Sequence, residues 1–330
     1  MRRAMGTMTR RELLKASLAA SAALPLACAT PKGAAGPPTP STGLPRRTLG
    51  KTGASVTILG LGGAWIAHRP DVNPRATVEA ALDCGIRYFD TAANYSGSEE
   101  HLGPLLAGVR REVFLVTKLD HLLGKEAEAG LHQSLKRLKT GHVDLLLLHG
   151  VGCAGGWDDP EKILARDGAL AYLRKAKRQG LTRFIGMSAH PPYGAAMKIL
   201  DRADDLDVAM PFVNALSVAG PEGSGGFIAR CRERGMGLAA MKVLGGDGQL
   251  AKDYEGAFRY TLSIPGVACA VVGARSDTEV RRAARAAREF RPLSDAEMRD
   301  AALAGARLTR SLATEYIQLR SHFARDVGIV

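Results

Sequence analysis

FDTAANYSGSEEHL, residues Phe89–Leu102, sets the reading of the whole chain. A short apolar run, Ile86–Phe89, ends in a carboxylate, Asp90, and a phenol, Tyr95, follows in the loop beyond it. The same design recurs downstream. Val113–Val116 leads into Lys118, and Leu145–Leu148 leads directly into His149. Short apolar runs bounded by turn residues read as buried strands. An acid, a phenol, an ammonium and an imidazole therefore stand at or just past the ends of three successive strands.

Outward from these three, the pattern continues in both directions. Thr57–Leu61, Ile86–Phe89, Val113–Val116, Val143–Leu148, Arg183–Met187, Val208–Val213, Gly237–Met241 and Ala268–Val272 are eight strand candidates. Amphipathic stretches fill the gaps: Arg75–Cys84 behind Pro74, Glu126–Leu138, Ile163–Ala176, Ala195–Leu200, Phe227–Cys231 and Thr278–Ala287. Apolar strands alternating with helices call for a parallel sheet covered by helices. Eight such units fit a closed (β/α)8 TIM barrel of α/β class. An open dinucleotide-binding sheet would want G-x-G-x-x-G after the first strand, and Gly60-Leu61-Gly62-Gly63-Ala64 lacks the last glycine. Ahead of the barrel, Arg46–Leu49 and Ser55–Ile58 flank Gly50-Lys51-Thr52-Gly53 as an N-terminal β-hairpin. Behind it, Ser294–Arg310 and Ser311–Arg325 read as extra C-terminal helices.

In such a barrel the C-terminal ends of the strands face one mouth, which brings Asp90, Tyr95, Lys118 and His149 together. A free phenol, with a pKa near 10, is a poor general acid/base at neutral pH. An ammonium about 4 Å away, at an effective dielectric of 20, favours the phenolate by roughly 4 kcal/mol. That predicts a phenol pKa lowered by up to about three units, with Asp90 taking back part while holding Lys118 in place. A neutral His149 would orient the substrate oxygen. Singly, each residue reads as a cap, a half-buried loop residue or a solvated strand end. As a set they suit protonation of a carbonyl oxygen while hydride reaches the carbon.

The totals exclude several other classes. The chain has 330 residues, 46% hydrophobic and 24% charged, ordinary values for a globular domain with a sizeable core. The formal charge of +12 falls to about +8 without the first 29 residues, which favours anionic ligands such as nucleotide phosphates. No nucleic-acid reader motif accompanies it, so no nucleic-acid partner is expected. The five cysteines show no metal-binding spacing, so no metal is expected either.

Residues 1–29 read as a twin-arginine signal peptide: Thr9-Arg10-Arg11-Glu12-Leu13-Leu14-Lys15, then an apolar core over Ala16–Leu26. That core is too short to span a membrane, which needs about 20 residues, so no transmembrane anchor is expected. Ala27-Cys28-Ala29 offers a cleavage site, with lipid anchoring at Cys28 as the alternative. An exported, periplasmic protein served by the twin-arginine machinery is expected. Residues 30–45, rich in Pro and Gly, read as an extended linker, and residues 46–330 as the barrel domain.

From Arg46 to about Arg310 the chain resembles the aldo/keto reductases. Leu49–Gly53, FDTAANYSGSEEHLG, Val116-Thr117-Lys118, VDLLLLH (Val143–His149), RFIGMSAH (Arg183–His190), MKVLGG (Met241–Gly246) and VVGARS (Val271–Ser276) carry the resemblance. It implies a (β/α)8 barrel that uses NADP(H), or less often NAD(H), without metal. It also implies Tyr95 as proton donor, Lys118 and Asp90 as its tuners, and His149 as the residue orienting substrate. For the cofactor it implies Gly62, Ser188, Met210, Met241, Leu244 and Gly245, with Arg275 and Ser276 at the adenosine 2′-phosphate. Relatives with an MKVLGG segment sometimes carry a cysteine-rich iron–sulfur tail. No cysteine follows Cys269 here, so no cluster is expected. Trp65 and Trp157 are candidates for the substrate wall. The expected activity is reduction of an aldehyde or ketone, a sugar among them, or the reverse oxidation. The alternative is a non-catalytic nicotinamide-binding sensor on the same barrel.

Overall fold

Eight parallel strands close on themselves in this protein. The structure, a computed structural model, describes residues 43–67, 70–218, 224–246 and 248–308. The expected signal peptide, the linker up to residue 42 and the helix Ser311–Arg325 lie outside the described residues.

The barrel strands are β3 (Leu59–Gly62), β4 (Tyr88–Asp90), β5 (Phe114–Leu119), β6 (Val143–Val151), β7 (Thr182–Ala189), β8 (Val208–Pro211), β9 (Gly237–Ala240) and β10 (Val267–Gly273). Each pairs in parallel with the next, and β10 pairs with both β9 and β3 to close the ring. All eight overlap the apolar runs read from the sequence. Helices fall where expected at Pro74–Asp83, Gly124–Arg137, Gly194–Arg202, Gly225–Glu233 and Asp277–Arg288, while Ser98–Leu106 and Tyr254–Ser263 are helices the sequence reading does not include. A further helix covers 295–308.

Two hydrophobic layers result from the two-residue period of the strands. Tyr88, Phe114, Val116, Leu145, Leu147, Val208, Met210, Ala239, Cys269 and Val271 point inward and fill the barrel. Tyr88 stacks on Phe114 at 5.3 Å, and Phe114 on Phe184 at 6.3 Å. Gly60 makes room for this stack, because a Cβ there would sit 2.7 Å from the Tyr88 ring. Their sequence neighbours Phe89, Leu115, Leu146 and Leu148 point outward into the layer beneath the helices.

The N-terminal hairpin, β1 (Arg46–Thr48) and β2 (Ser55–Thr57), pairs antiparallel, with Arg46 opposite Thr57. Its Leu49 and Val56 are buried in the inner cluster, so the hairpin plugs the N-terminal end of the barrel. Arg47 fixes it there by donating to the carbonyls of Leu262 and Val267 at 2.8 and 2.6 Å. With one end stoppered by apolar side chains, the polar strand ends are confined to the other.

One expected helix is divided. Ile163–Ala176 forms two helices, Pro160–Leu164 and Ala169–Arg178. At Gly168 the chain turns so closely over the first helix that a Cβ would lie 2.5 Å from the Lys162 carbonyl.

Candidate active site

Strand parity aims the reactive groups. Asp90 lies two residues beyond Tyr88, Lys118 two beyond Val116, and His149 two beyond Leu147, all on the inward face. Register places Asp90 beside Val116, and Lys118 beside Leu147. All three are buried, with 3%, 2% and 5% of their surface exposed.

The Lys118 ammonium uses its whole donor capacity. Its Nζ lies 2.9 Å from each oxygen of Asp90, 2.8 Å from the Thr91 carbonyl and 3.3 Å from the Tyr95 hydroxyl. The Tyr95 oxygen accepts from Lys118, so its own O–H remains to donate elsewhere. The Tyr95 ring lies edge-on to His149 with centroids 5.6 Å apart, and 4.6 Å from the Lys118 nitrogen. The four residues singled out in the sequence thus meet in one cluster.

A tight turn delivers Tyr95. The Tyr95 amide bonds to the Ala92 carbonyl, and Gly97, at φ +85°, starts the helix Ser98–Leu106. That helix is bolted to the outward face of the lysine's own strand. Buried Glu99 accepts from Thr117 at 2.6 Å and from Arg137 Nε at 2.7 Å. The phenol and the ammonium are therefore held by two faces of β5.

Burial changes the electrostatics expected from the charges alone. Burial raises the Tyr95 pKa above the ordinary phenol value; Lys118 opposes this, while Asp90 and Asp120 reinforce it. The expected net lowering by Lys118 is corrected accordingly: loss of solvation outweighs the ammonium. Burial likewise pushes the Asp90 carboxyl up, with Lys118 pulling it back. Burial alone would lower the Lys118 pKa, but Asp90 and Tyr95 together leave it above its ordinary value.

A fifth residue, not singled out in the sequence, belongs to the cluster. Asp120 Oδ1 pairs with His149 Nδ1, and Asp120 Oδ2 accepts the backbone N–H of Asn94 at 3.2 Å. The sequence signal was its position, two residues past Lys118 and so in phase with the inward face of β5.

Other expected contacts ring the same mouth. Gly62 ends β3, and Met210 (β8) and Met241 (after β9) belong to or pack on the inner cluster. Ser188, on β7, is turned to β6: it accepts from the Gly150 amide at 2.9 Å and donates to the Leu148 carbonyl at 3.3 Å. Leu244 packs against the outer layer, and Gly245 adopts φ +84°. Ser276 caps the helix Asp277–Arg288 by accepting from the Glu279 amide at 3.3 Å. Arg275 lies over the Trp65 ring at 5.3 Å, with Nη2 3.6 Å from Glu279 Oε1. Trp65 itself crosses the rim against Gly273, where a Cβ would meet its ring at 2.3 Å. Trp157 is instead buried in the outer hydrophobic layer.

The chemistry of this rim fits a dinucleotide. Two thioethers, Met210 on β8 and Met241 just past β9, lie on the inner hydrophobic cluster, and a guanidinium and a capped helix start follow β10, where a phosphate is attracted. Among the described residues no group of three or more His, Cys, Asp or Glu is placed to hold a metal ion. No helix of the described residues is long and apolar enough to cross a membrane.

A model of the aldo/keto reductase family matches residues 59–257. Methylglyoxal reductase DkgB of Salmonella typhi is 37% identical over 118 residues, 34% of this chain and 41% of that protein. Aldehyde reductase YPR1 of Saccharomyces cerevisiae is 44% identical over 101 residues, 30% of this chain and 31% of that protein. The matched segments thus span less than half of these curated relatives. The holo form of aldo-keto reductase AKR11C1 from Bacillus halodurans superposes with a TM-score of 0.66 over 80% of this chain and 96% of that one. At 22% identity it is alike in fold. A putative aldo-keto reductase from Pseudomonas aeruginosa, 27% identical, superposes with a TM-score of 0.62 over 74% of this chain and 94% of that one.

Proposed function

The chain belongs to the aldo/keto reductase family, and from that premise we propose that it reduces an aldehyde or ketone to an alcohol with NADP(H), with Tyr95 as the proton donor. One observation carries the reading. The Tyr95 oxygen accepts from Lys118 at 3.3 Å and keeps its own hydrogen for a third atom.

Gly62, Met210, Met241, Leu244 and Gly245 would hold the nicotinamide half and pyrophosphate, and Arg275 and Ser276 the adenosine phosphate. When bound, the cofactor supplies the hydride that reaches the carbonyl carbon. The protein supplies the proton and the place for it. The carbonyl oxygen accepts hydrogen bonds from Tyr95 and His149. As charge develops on that oxygen, the phenol proton moves to it, giving the alcohol and a phenolate. Lys118 stabilises the phenolate with a full charge in a desolvated site, where such an interaction is stronger than in water. Asp90, 2.9 Å away, keeps the ammonium charged and in place. Oxidation of an alcohol runs the same steps backward, with the phenolate as base.

NADP(H) is favoured over NAD(H) by the guanidinium of Arg275, although it is shared with Glu279. The names of the matched relatives, a methylglyoxal reductase and an aldehyde reductase, support small carbonyl compounds as the substrate class. The proposal includes export by the twin-arginine route, on the strength of Arg10 and Arg11.

The test is a screen of purified protein with NADPH against aldehydes, ketones and sugars, followed by nicotinamide absorbance. Turnover on at least one carbonyl class is expected. Protein that binds NADPH yet turns over none of them would leave a nicotinamide sensor as the better reading.

A further inference from the structure

We propose that Asp120 is a positioning residue that fixes the hydrogen of His149 on Nδ1, so that the ring can donate to a carbonyl oxygen only when it is protonated. The inference rests on reading the cluster as a carbonyl-reducing site, and adds a control to that site.

Two contacts and one unpartnered ring nitrogen lead to it. Asp120 Oδ1 meets Nδ1 of His149. A carboxylate only accepts, so Nδ1 must carry the hydrogen. Asp120 Oδ2 is held by the Asn94 amide at 3.2 Å, one residue before Tyr95, so the carboxylate cannot turn away without loosening the turn that delivers the phenol. The other ring nitrogen, Nε2, has no hydrogen-bond partner among the described residues.

The chemical consequence follows from the tautomer. A neutral ring with its hydrogen on Nδ1 shows a bare lone pair at Nε2, which repels the lone pairs of a carbonyl oxygen. An imidazolium shows an N–H there, which binds that oxygen and favours the charge that builds up on it during hydride arrival. Neutral His149, expected from the sequence to orient the carbonyl, is then the wrong form for reduction. The ionisable groups that face His149 are Asp90 and Tyr95 from β4 and the loop after it, and Lys118 and Asp120 from β5 and the residue beyond it. β7 offers the Ser188 hydroxyl on the far side, and His190 turns its ring onto Phe212 at 4.8 Å.

Asp120→Asn reverses the polarity with little change in shape. The carbonyl of the new amide is claimed by the Asn94 N–H, so its NH2 faces Nδ1 and donates to it. The hydrogen of the neutral ring then moves to Nε2, and a neutral His149 becomes a donor to the substrate.

The experiment uses the full-length chain labelled with 15N-histidine, its His149 resonances assigned with a His149→Gln control, and reads the tautomer from the two ring nitrogen shifts across pH. Wild type is expected to show the Nδ1–H tautomer when neutral, Asp120→Asn the Nε2–H tautomer, and Asp120→Glu a return towards Nδ1–H. In parallel, wild-type kcat/KM for a carbonyl should fall about tenfold per pH unit once the ring loses its proton. In Asp120→Asn that fall should vanish, leaving only a decline in the alkaline range, where half-buried Tyr95 gives up its proton. A wild-type neutral ring protonated on Nε2 would overturn the proposal, even if the variant did not fold. So would a tautomer or pH profile unmoved by Asp120→Asn. Absence of any carbonyl reduction in wild type would count instead against the reading of the site, since the nitrogen shifts need no turnover.

Discussion

Lys118→Met removes the ammonium beside Tyr95 while roughly keeping the side chain's length. Two charges feel the loss. At the observed 3.3 Å, an ammonium and a phenolate at an effective dielectric of 20 attract by about 5 kcal/mol. Asp90, on the same nitrogen at 2.9 Å, offsets part of this in the native protein. The net effect on proton donation should fall within the range of about 10²- to 10⁴-fold typical of a displaced general acid. The second effect is on stability. Asp90 would be left buried beside an apolar chain, an uncompensated charge costing about 3–5 kcal/mol. Adding Asp90→Asn should restore most of that stability and none of the rate, because the phenolate still lacks its cation. The assays are kcat for a carbonyl substrate, NADPH affinity by fluorescence, and urea melts of both variants. A Lys118→Met protein whose kcat stays within tenfold of wild type would refute the electrostatic role, whatever its stability.

Other outcomes follow from neighbouring features. Arg275→Gln should weaken NADPH binding about tenfold and leave NADH unchanged, the modest size reflecting a half-exposed guanidinium already shared with Glu279. Equal losses for the two cofactors, by calorimetry, would remove Arg275 from the 2′-phosphate. Arg137→Met should destabilise the fold by about 3–5 kcal/mol in urea, since Glu99 is buried with Arg137 as its closest cation. A loss under 1 kcal/mol would mean Glu99 needs no partner beyond Thr117. Replacing Arg10 and Arg11 together by Lys should retain the protein in the cytoplasm on cell fractionation, and an unchanged distribution would remove the export proposal.

The strands were legible because each is a brief apolar run, and the site was legible because three runs end in groups that an apolar core would not hold without a partner. Asp90, Lys118 and His149 share the inward phase of β4, β5 and β6, a property of alternation alone. Less visible was anything that depends on what packs around a residue. The sign of the Tyr95 shift needed its burial, which no spacing conveys. The helix Ser98–Leu106 lay hidden in the very motif that marks the site, because it starts at Gly97 and contains Pro104. Trp157 is a candidate for the substrate wall in the sequence, yet its ring is buried in the outer layer. Asp120 reads as an ordinary loop carboxylate until the phase of β5 is carried two residues past Lys118.

Tyr95→Phe tests the central claim most directly, because it removes one oxygen and leaves the barrel, the ammonium and the cofactor rim intact. Measured with NADPH and the best carbonyl substrate from the screen, kcat should fall by at least about 10³-fold while NADPH affinity stays within about twofold of wild type. A variant that turns over at near wild-type rate, with its cofactor bound equally well, would mean the proton comes from elsewhere and the account of this site is wrong.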